Sequence, residues 1–205
     1  IFERTIELID TYHPDEIAVK YEKSGAAAIS ILTERNFFDG HIDHLSLVSL
    51  KTNLPILRKD FIIDHYQIIE SKVFKADAIL LIASILDDVK IKKFLKIANN
   101  VGLDCIIETH TKDEIKRAIN IGYPIIGINN RNLDNLTVDK NNSKKLNTNI
   151  PDEFTIIAES GIKSFLDINE YNKSGIYNFL IGEAILKSKN INEKFKKLLK
   201  NDNSS

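Results

Sequence analysis

The 205 residues carry a formal net charge of -1, with 43% apolar and 28% charged side chains, which argues against nucleic acid as a partner. A chain of this length fits one domain burying roughly 70% of its unfolded surface. Its apolar runs are far shorter than the ~20 residues a bilayer requires, and no signal peptide is visible, so no membrane association is expected. The single cysteine, Cys105, excludes an intramolecular disulfide and suits a small core residue in a cytoplasmic protein.

Residues 1–13 show no clear period and read as an irregular lead-in. Pro14 suits the first turn of a helix, Asp15 and Glu16 suit its positive end, and Gly25 ends it. A strand is expected over 26–32 with the polar exit Thr33-Glu34-Arg35, then an aromatic loop Phe37-Phe38-Asp39-Gly40 and a short helix over 42–51. In LPILRKDF, residues 54–61, an apolar run meets Arg58-Lys59-Asp60. Such a run reads as a buried parallel strand with the charged triplet at its C-terminal mouth.

Asp64-x-x-Gln67 starts a helix at about 65–75, and a strand follows over 76–82. Asp87 caps a helix that carries Ile91, Phe94, Leu95 and Ala98 on one face and stops near Gly102. After a strand over 103–108, Thr111-x-x-Glu114 is a capping box opening a helix that Gly122 closes. A strand over 124–128 runs into Asn129-Asn130-Arg131-Asn132, and a weak helix is expected near 139–147. The strand 154–159 ends in Ser160-Gly161 before a helix at 164–173. The strand 176–181 leads to Gly182-Glu183, a basic helix covers about 190–200, and 201–205 should be a loose tail.

Strands therefore recur every 21–30 residues, each followed by a helix, which makes a single (β/α)8 barrel domain over 1–205 the natural fold. A doubly wound sheet is the alternative, but no G-x-G-x-x-G follows the first strand. Seven strands are one short of eight, the chain has no methionine, and the repeat opens in mid-unit at Ile1. The expectation is that a first strand belongs in front of Ile1.

Gathered on one rim, the strand ends offer Glu34, Lys59, Glu108, Asn129, Arg131, Glu159, Ser160 and Gly182. A buried mouth holding a lysine and two carboxylates outlines a general acid–base site, provided the lysine falls from about 10.4 and a glutamate rises from about 4.3. The same groups could instead be structural ion pairs, and Lys59 a solvated loop lysine. Ser160-Gly161 and Gly182-Glu183 follow the last two strands, where barrels commonly bind phosphate on backbone N–H groups. They could also be ordinary turns, and Glu183 suits phosphate only with its side chain turned away. His41-x-x-His44 has metal-like spacing but no further ligand, so no metal is expected, and His110 reads as a loop residue.

LPILRKDFIID-x-YQI-x-ES, ADAILLIA, IE-x-H, IGINNRNL, AESGI and FLIGEAIL, in this order, closely resemble indole-3-glycerol phosphate synthase over about residues 14–187. The resemblance implies a carboxy-lyase of tryptophan biosynthesis, without metal or organic cofactor. Its substrate, 1-(2-carboxyphenylamino)-1-deoxyribulose 5-phosphate, closes an indole ring with release of CO2 and water. By motif, Lys59 matches the general acid on the substrate's carbonyl oxygen and Glu108 the carboxylate of the dehydration step. Asn129 and Glu159 match residues that orient the anilino end, and Phe61 part of its apolar wall. Arg131 matches a rim residue, while Ser160, Gly161 and Gly182-Glu183 match the phosphate loops.

The family's extra N-terminal helix, and its first strand with a glutamate, a lysine and a serine-rich loop, find no match here, so little or no activity is expected of these 205 residues. Fusion or association with other tryptophan-pathway enzymes is a further expectation of the resemblance. The rivals are another phosphosugar barrel, such as phosphoribosylanthranilate isomerase, or a non-catalytic barrel that binds only phosphate or a protein partner.

Overall fold

A computed structural model describes residues 13–132 and 135–199. Apart from His13, the expected lead-in over 1–13 lies outside the described residues, as does the tail over 201–205. The chain runs α1 (Pro14–Lys23), β1 (Ile29–Leu32), α2 (Arg35–Phe38), α3 (Asp43–Ser49), β2 (Ile56–Lys59), α4 (His65–Val73), β3 (Ala78–Ile82), α5 (Asp88–Asn100) and β4 (Asp104–Thr109). It continues through α6 (Lys112–Ile121), β5 (Ile125–Asn129), α7 (Asn142–Asn147), β6 (Thr155–Glu159), α8 (Phe165–Lys173), β7 (Asn178–Leu180), α9 (Glu183–Leu186) and α10 (Ile191–Leu199). No helix among the described residues is long and apolar enough to cross a membrane.

The local chemistry of the turns sets most boundaries. Asp64 and Gln67 form a reciprocal capping box on α4, and Asp87 accepts from the Lys90 N–H at the start of α5. The box expected at Thr111 is only half made. Thr111 accepts from the Glu114 N–H, but the Glu114 carboxylate turns back to the His110 N–H at 2.7 Å. The aromatic loop expected at 37–40 is instead the end of the short helix α2, because the Glu34 carboxylate accepts from the N–H groups of Asn36 and Phe37. The weak helix near 139–147 forms only from Asn142.

All seven strands lie parallel in the order β1 to β7. A doubly wound sheet reverses its order at a switch point, and this one does not. The sheet is curled: four strand spacings separate β2 from β6, roughly 19 Å on a flat sheet, yet Lys59 Nζ and Glu159 Oε2 are 3.0 Å apart. Side chains alternate accordingly. Ile79, Leu81, Ile107 and Ile126 point outward and pack under the helices, while Leu57, Leu80, Ile82 and Ile106 fill the concave interior with Phe61 and Ile157.

The sheet has two edges. Among the described residues β1 pairs only with β2 and β7 only with β6, and the inward-facing Ser30 and Asn178 of these strands are exposed. The helices outside it do close. Tyr21 of α1 meets Phe195 of α10 edge-on at 5.4 Å between ring centroids, and Ser24 Oγ donates to Asn192 at 2.7 Å.

Candidate active site

The period of two decides which member of Arg58-Lys59-Asp60 enters the interior. Lys59 points in. Arg58 points out and is buried behind the sheet, where it donates to Glu70 (2.8 Å), Asp60 (2.9 Å) and the Gln67 carbonyl (3.0 Å). Asp60 also accepts from the Phe61 N–H at 2.8 Å. The triplet expected at the mouth is thus divided, with one residue in the site and two bracing the turn into α4. Apolar burial of an unpaired guanidinium would be costly, so these acceptors must come with it.

Inside the curl, Lys59 Nζ donates to Glu108 Oε2 at 2.8 Å and to Glu159 Oε2 at 3.0 Å. Both glutamates are buried, whereas the Lys59 side chain keeps 23% exposure at the mouth. Burial alone would lower the lysine's proton affinity, but the two carboxylates outweigh it and raise it. The fall expected of a lysine near neutrality is therefore reversed in this substrate-free site. The two glutamates diverge. Burial pushes Glu159 up to about 7 against the pull of Lys59, with the neighbouring Glu108 charge adding to the rise. For Glu108 burial is outweighed by Lys59 and His110, and its carboxyl lies below the usual range.

Asn129 ends β5 in register with Glu159, and its Oδ1 accepts from the Arg131 N–H at 3.0 Å. Phe61 stacks at the same mouth with Phe37 and Phe38, at 6.1 and 6.2 Å between centroids. Arg131 lies further out, donating to the Leu136 carbonyl and to Glu183, whose carboxylate Lys187 also grips. Ser160 and Gly161 are consecutive left-handed residues, with φ of 65° and 80°, in the loop after β6. Gly182 sits in the adjacent loop after β7, with φ of -114° and no protein atom within 4 Å of where a Cβ would lie.

Other candidates fall outside this cluster. Glu34 serves as the cap of α2, and the rings of His41 and His44 lie 6.0 Å apart with no metal-binding group of three ligands among the described residues. Three residues passed over in the sequence do bear on the site. His110 Nε2 is 3.3 Å from Glu108 Oε1. Asn130 is buried and donates to the Ser160 carbonyl and to Tyr171, fixing the loop after β6. Gly127 lies beneath the Glu159 carboxylate. For Asn130 and Gly127, the alternation along IIGINN was the available signal.

A family model described as indole-3-glycerol phosphate synthase matches residues 5–198. The indole-3-glycerol phosphate synthase of Legionella pneumophila (strain Paris) is 46% identical over 184 residues, covering 90% of this chain and 71% of that one. That of Endomicrobium trichonymphae is 47% identical over 183 residues, covering 89% and 71%. Among solved structures, 3-hexulose-6-phosphate synthase from Salmonella typhimurium superposes with a TM-score of 0.70 at 15% identity, covering 93% of each chain, a likeness of fold alone. Identity near one half, extending over nine tenths of the chain and all seven strands, makes this chain a member of the indole-3-glycerol phosphate synthase family.

Proposed function

We propose that the protein closes the indole ring of 1-(2-carboxyphenylamino)-1-deoxyribulose 5-phosphate, releasing CO2 and water, as an indole-3-glycerol phosphate synthase of tryptophan biosynthesis. The observation that carries this reading is the Lys59–Glu108–Glu159 cluster, a protonated lysine held between two buried carboxylates of opposite pKa displacement. Such divergence separates acid from base roles. Lys59 protonates the carbonyl oxygen as the ring carbon attacks the carbonyl carbon, and the emerging charge on that oxygen is met by a donor already in place. Glu108, kept ionised, serves the dehydration.

Asn129 and Glu159 orient the anilino end against Phe61, and Arg131 closes the rim. The phosphate lies on the backbone N–H groups of the loops holding Ser160, Gly161 and Gly182. Glu183 contributes by neutralising Arg131 and Lys187 beside that loop rather than by meeting the anion. No metal or organic cofactor is needed for these steps. The same reading makes the chain one barrel domain of the cytoplasm, where the buried thiol of Cys105 stays reduced.

The sheet is read as seven strands of a (β/α)8 barrel, with the eighth position between β7 and β1. Two edges unpaired among the described residues and a helical ring that meets across them support this. The test is indole fluorescence on incubation with the substrate, alone and with a peptide supplying a strand that carries glutamate and lysine. Turnover that rises with the peptide and disappears in Lys59→Met is expected. Turnover that survives Lys59→Met would remove the proposed acid, and no product under any condition would remove the reading.

A further inference from the structure

We propose that Glu114 and His110 form the route by which a proton enters this site from behind Glu108. The inference rests on the ring-closing reaction above, and it begins from that reaction's balance. One C–C bond forms, and the ring–carboxylate bond breaks with its electron pair returned to the ring. The carbonyl oxygen gains two protons and departs as water, while the neighbouring carbon gives one proton back. The substrate carboxylate is ionised near neutral pH and leaves as neutral CO2, so each turnover takes up one proton from water. Lys59 supplies a proton and must recover it.

Substrate seated over the mouth covers the exposed side of Lys59, so recovery needs a second approach. The structure provides a continuous line of charged groups there. Glu108 presents one oxygen to Lys59 at 2.8 Å and the other to His110 Nε2 at 3.3 Å. The opposite ring nitrogen, Nδ1, lies 3.4 Å from Glu114 Oε2. Exposure of the side chains rises along this line, from 2% at Glu108 through 10% at His110 to 14% at Glu114. The path thus leads from the buried carboxylate to the first turn of α6.

The imidazole is held for this task. Glu114 Oε2 also accepts the His110 backbone N–H at 2.7 Å, and Asn142 from α7 donates to the His110 carbonyl at 3.1 Å. The charged groups facing the ring are Glu108 from β4 and Glu114 from α6, with Lys59 and Glu159 beyond Glu108. Burial would lower the imidazole's proton affinity, but the two glutamates set against its ring nitrogens reverse this and raise it to about 9. His110 therefore carries a proton at neutral pH, next to the carboxylate that faces Lys59. It acts through Glu108 and is a positioning and relay residue rather than one that touches substrate.

His110→Ala should lower kcat roughly 10²-fold, the lower end of general acid–base effects, with KM within about twofold. Exogenous imidazole should restore turnover in proportion to its protonated fraction, a response that a merely structural histidine would not give. Loss of kcat without imidazole rescue, or turnover like that of the parent protein, overturns the relay. If His110→Ala does not fold, Glu114→Gln decides instead. Its kcat should fall several-fold at constant KM, with the alkaline limb of the pH profile displaced to lower pH, and an unmoved profile overturns the proposal. All these kinetics are read with the strand-bearing peptide present, and a parent protein that forms no product even then removes the ring-closing reading and the relay together.

Discussion

Gly127 is the floor on which Glu159 rests: a Cβ at this position would collide with Glu159 Oε1 and press on Ile106 Cγ2 at 3.1 Å. Glu159 is buried, paired through its other oxygen to Lys59, and has no slack in which to retreat. Gly127→Ala should therefore lower kcat at least about tenfold by displacing a carboxylate from its working geometry. Adding Glu159→Asp, which withdraws the carboxylate by one methylene, should recover part of the loss. A Gly127→Ala protein with parental kinetics would show that Glu159 has room to move.

Lys59→Met tests the acid itself. In a chain supplied with the proposed eighth strand, loss of general acid catalysis predicts a fall in kcat of roughly 10²–10⁴-fold with little change in KM. The variant also leaves two buried carboxylates without their cation, a change that typically costs about 3–5 kcal/mol. Without Lys59 both carboxyls must rise in pKa, so the variant should gain thermal stability as pH falls from 8 to 5. Steady-state kinetics and melting curves across this range check both halves, and an unchanged kcat removes Lys59 from the mechanism.

His110 gives a pH dependence with a defined sign. Its folded-state pKa, about 9, lies above the ordinary 6.5. The stabilisation it provides is therefore complete below about pH 6.5 and is lost as pH rises through 9. The imidazole resonances should titrate near 9 in the parent and at lower pH in Glu114→Gln. A midpoint near 6.5 in the parent would mean that the two glutamates do not hold the ring.

The two glycine loops should respond differently to substitution. Gly161 has φ of 80°, and a side chain there would meet Val138 Cγ1 at 2.6 Å, so Gly161→Val strains the backbone and displaces its neighbour. Gly182 has neither constraint, so Gly182→Val should fold normally and act only on the ligand. Both variants should weaken inorganic phosphate binding, measured by titration calorimetry, more than Lys59→Ala does. Equal losses in all three would place the anion elsewhere.

Arg58→Leu tests the group behind the sheet. It takes the cation from Asp60 and Glu70 and leaves the Gln67 carbonyl without this donor, so a loss of about 3–5 kcal/mol is expected in urea unfolding. A loss below about 1 kcal/mol would show that water replaces the guanidinium.

The seven described strands and their order were legible in the sequence, because buried parallel strands are uninterrupted apolar runs; the polar residues at their ends stood out too, but which of the three glutamates meet Lys59 did not. What was not legible depended on which face a residue takes. Arg58 and Lys59 are adjacent and both basic, yet one braces a helix and the other enters the site. The short helix after β1 was hidden because Glu34 looked like a site residue when it is a cap. His110 does lie in the loop between β4 and α6, but its partners, Glu108 and Glu114, come from a strand and a helix whose meeting only the fold arranges.

The contact between Tyr21 and Phe195 has a mechanical meaning. The strands are staves and the helices around them the hoop, joined at this seam over the gap between β7 and β1. With β1 and β7 unjoined among the described residues, curvature there is a load carried by the hoop and by the charge bond across the interior between Lys59 and Glu159. Slack at the aromatic seam is thus felt across the interior, where the Lys59–Glu159 bond spans from β2 to β6 and would lengthen as the curl opens.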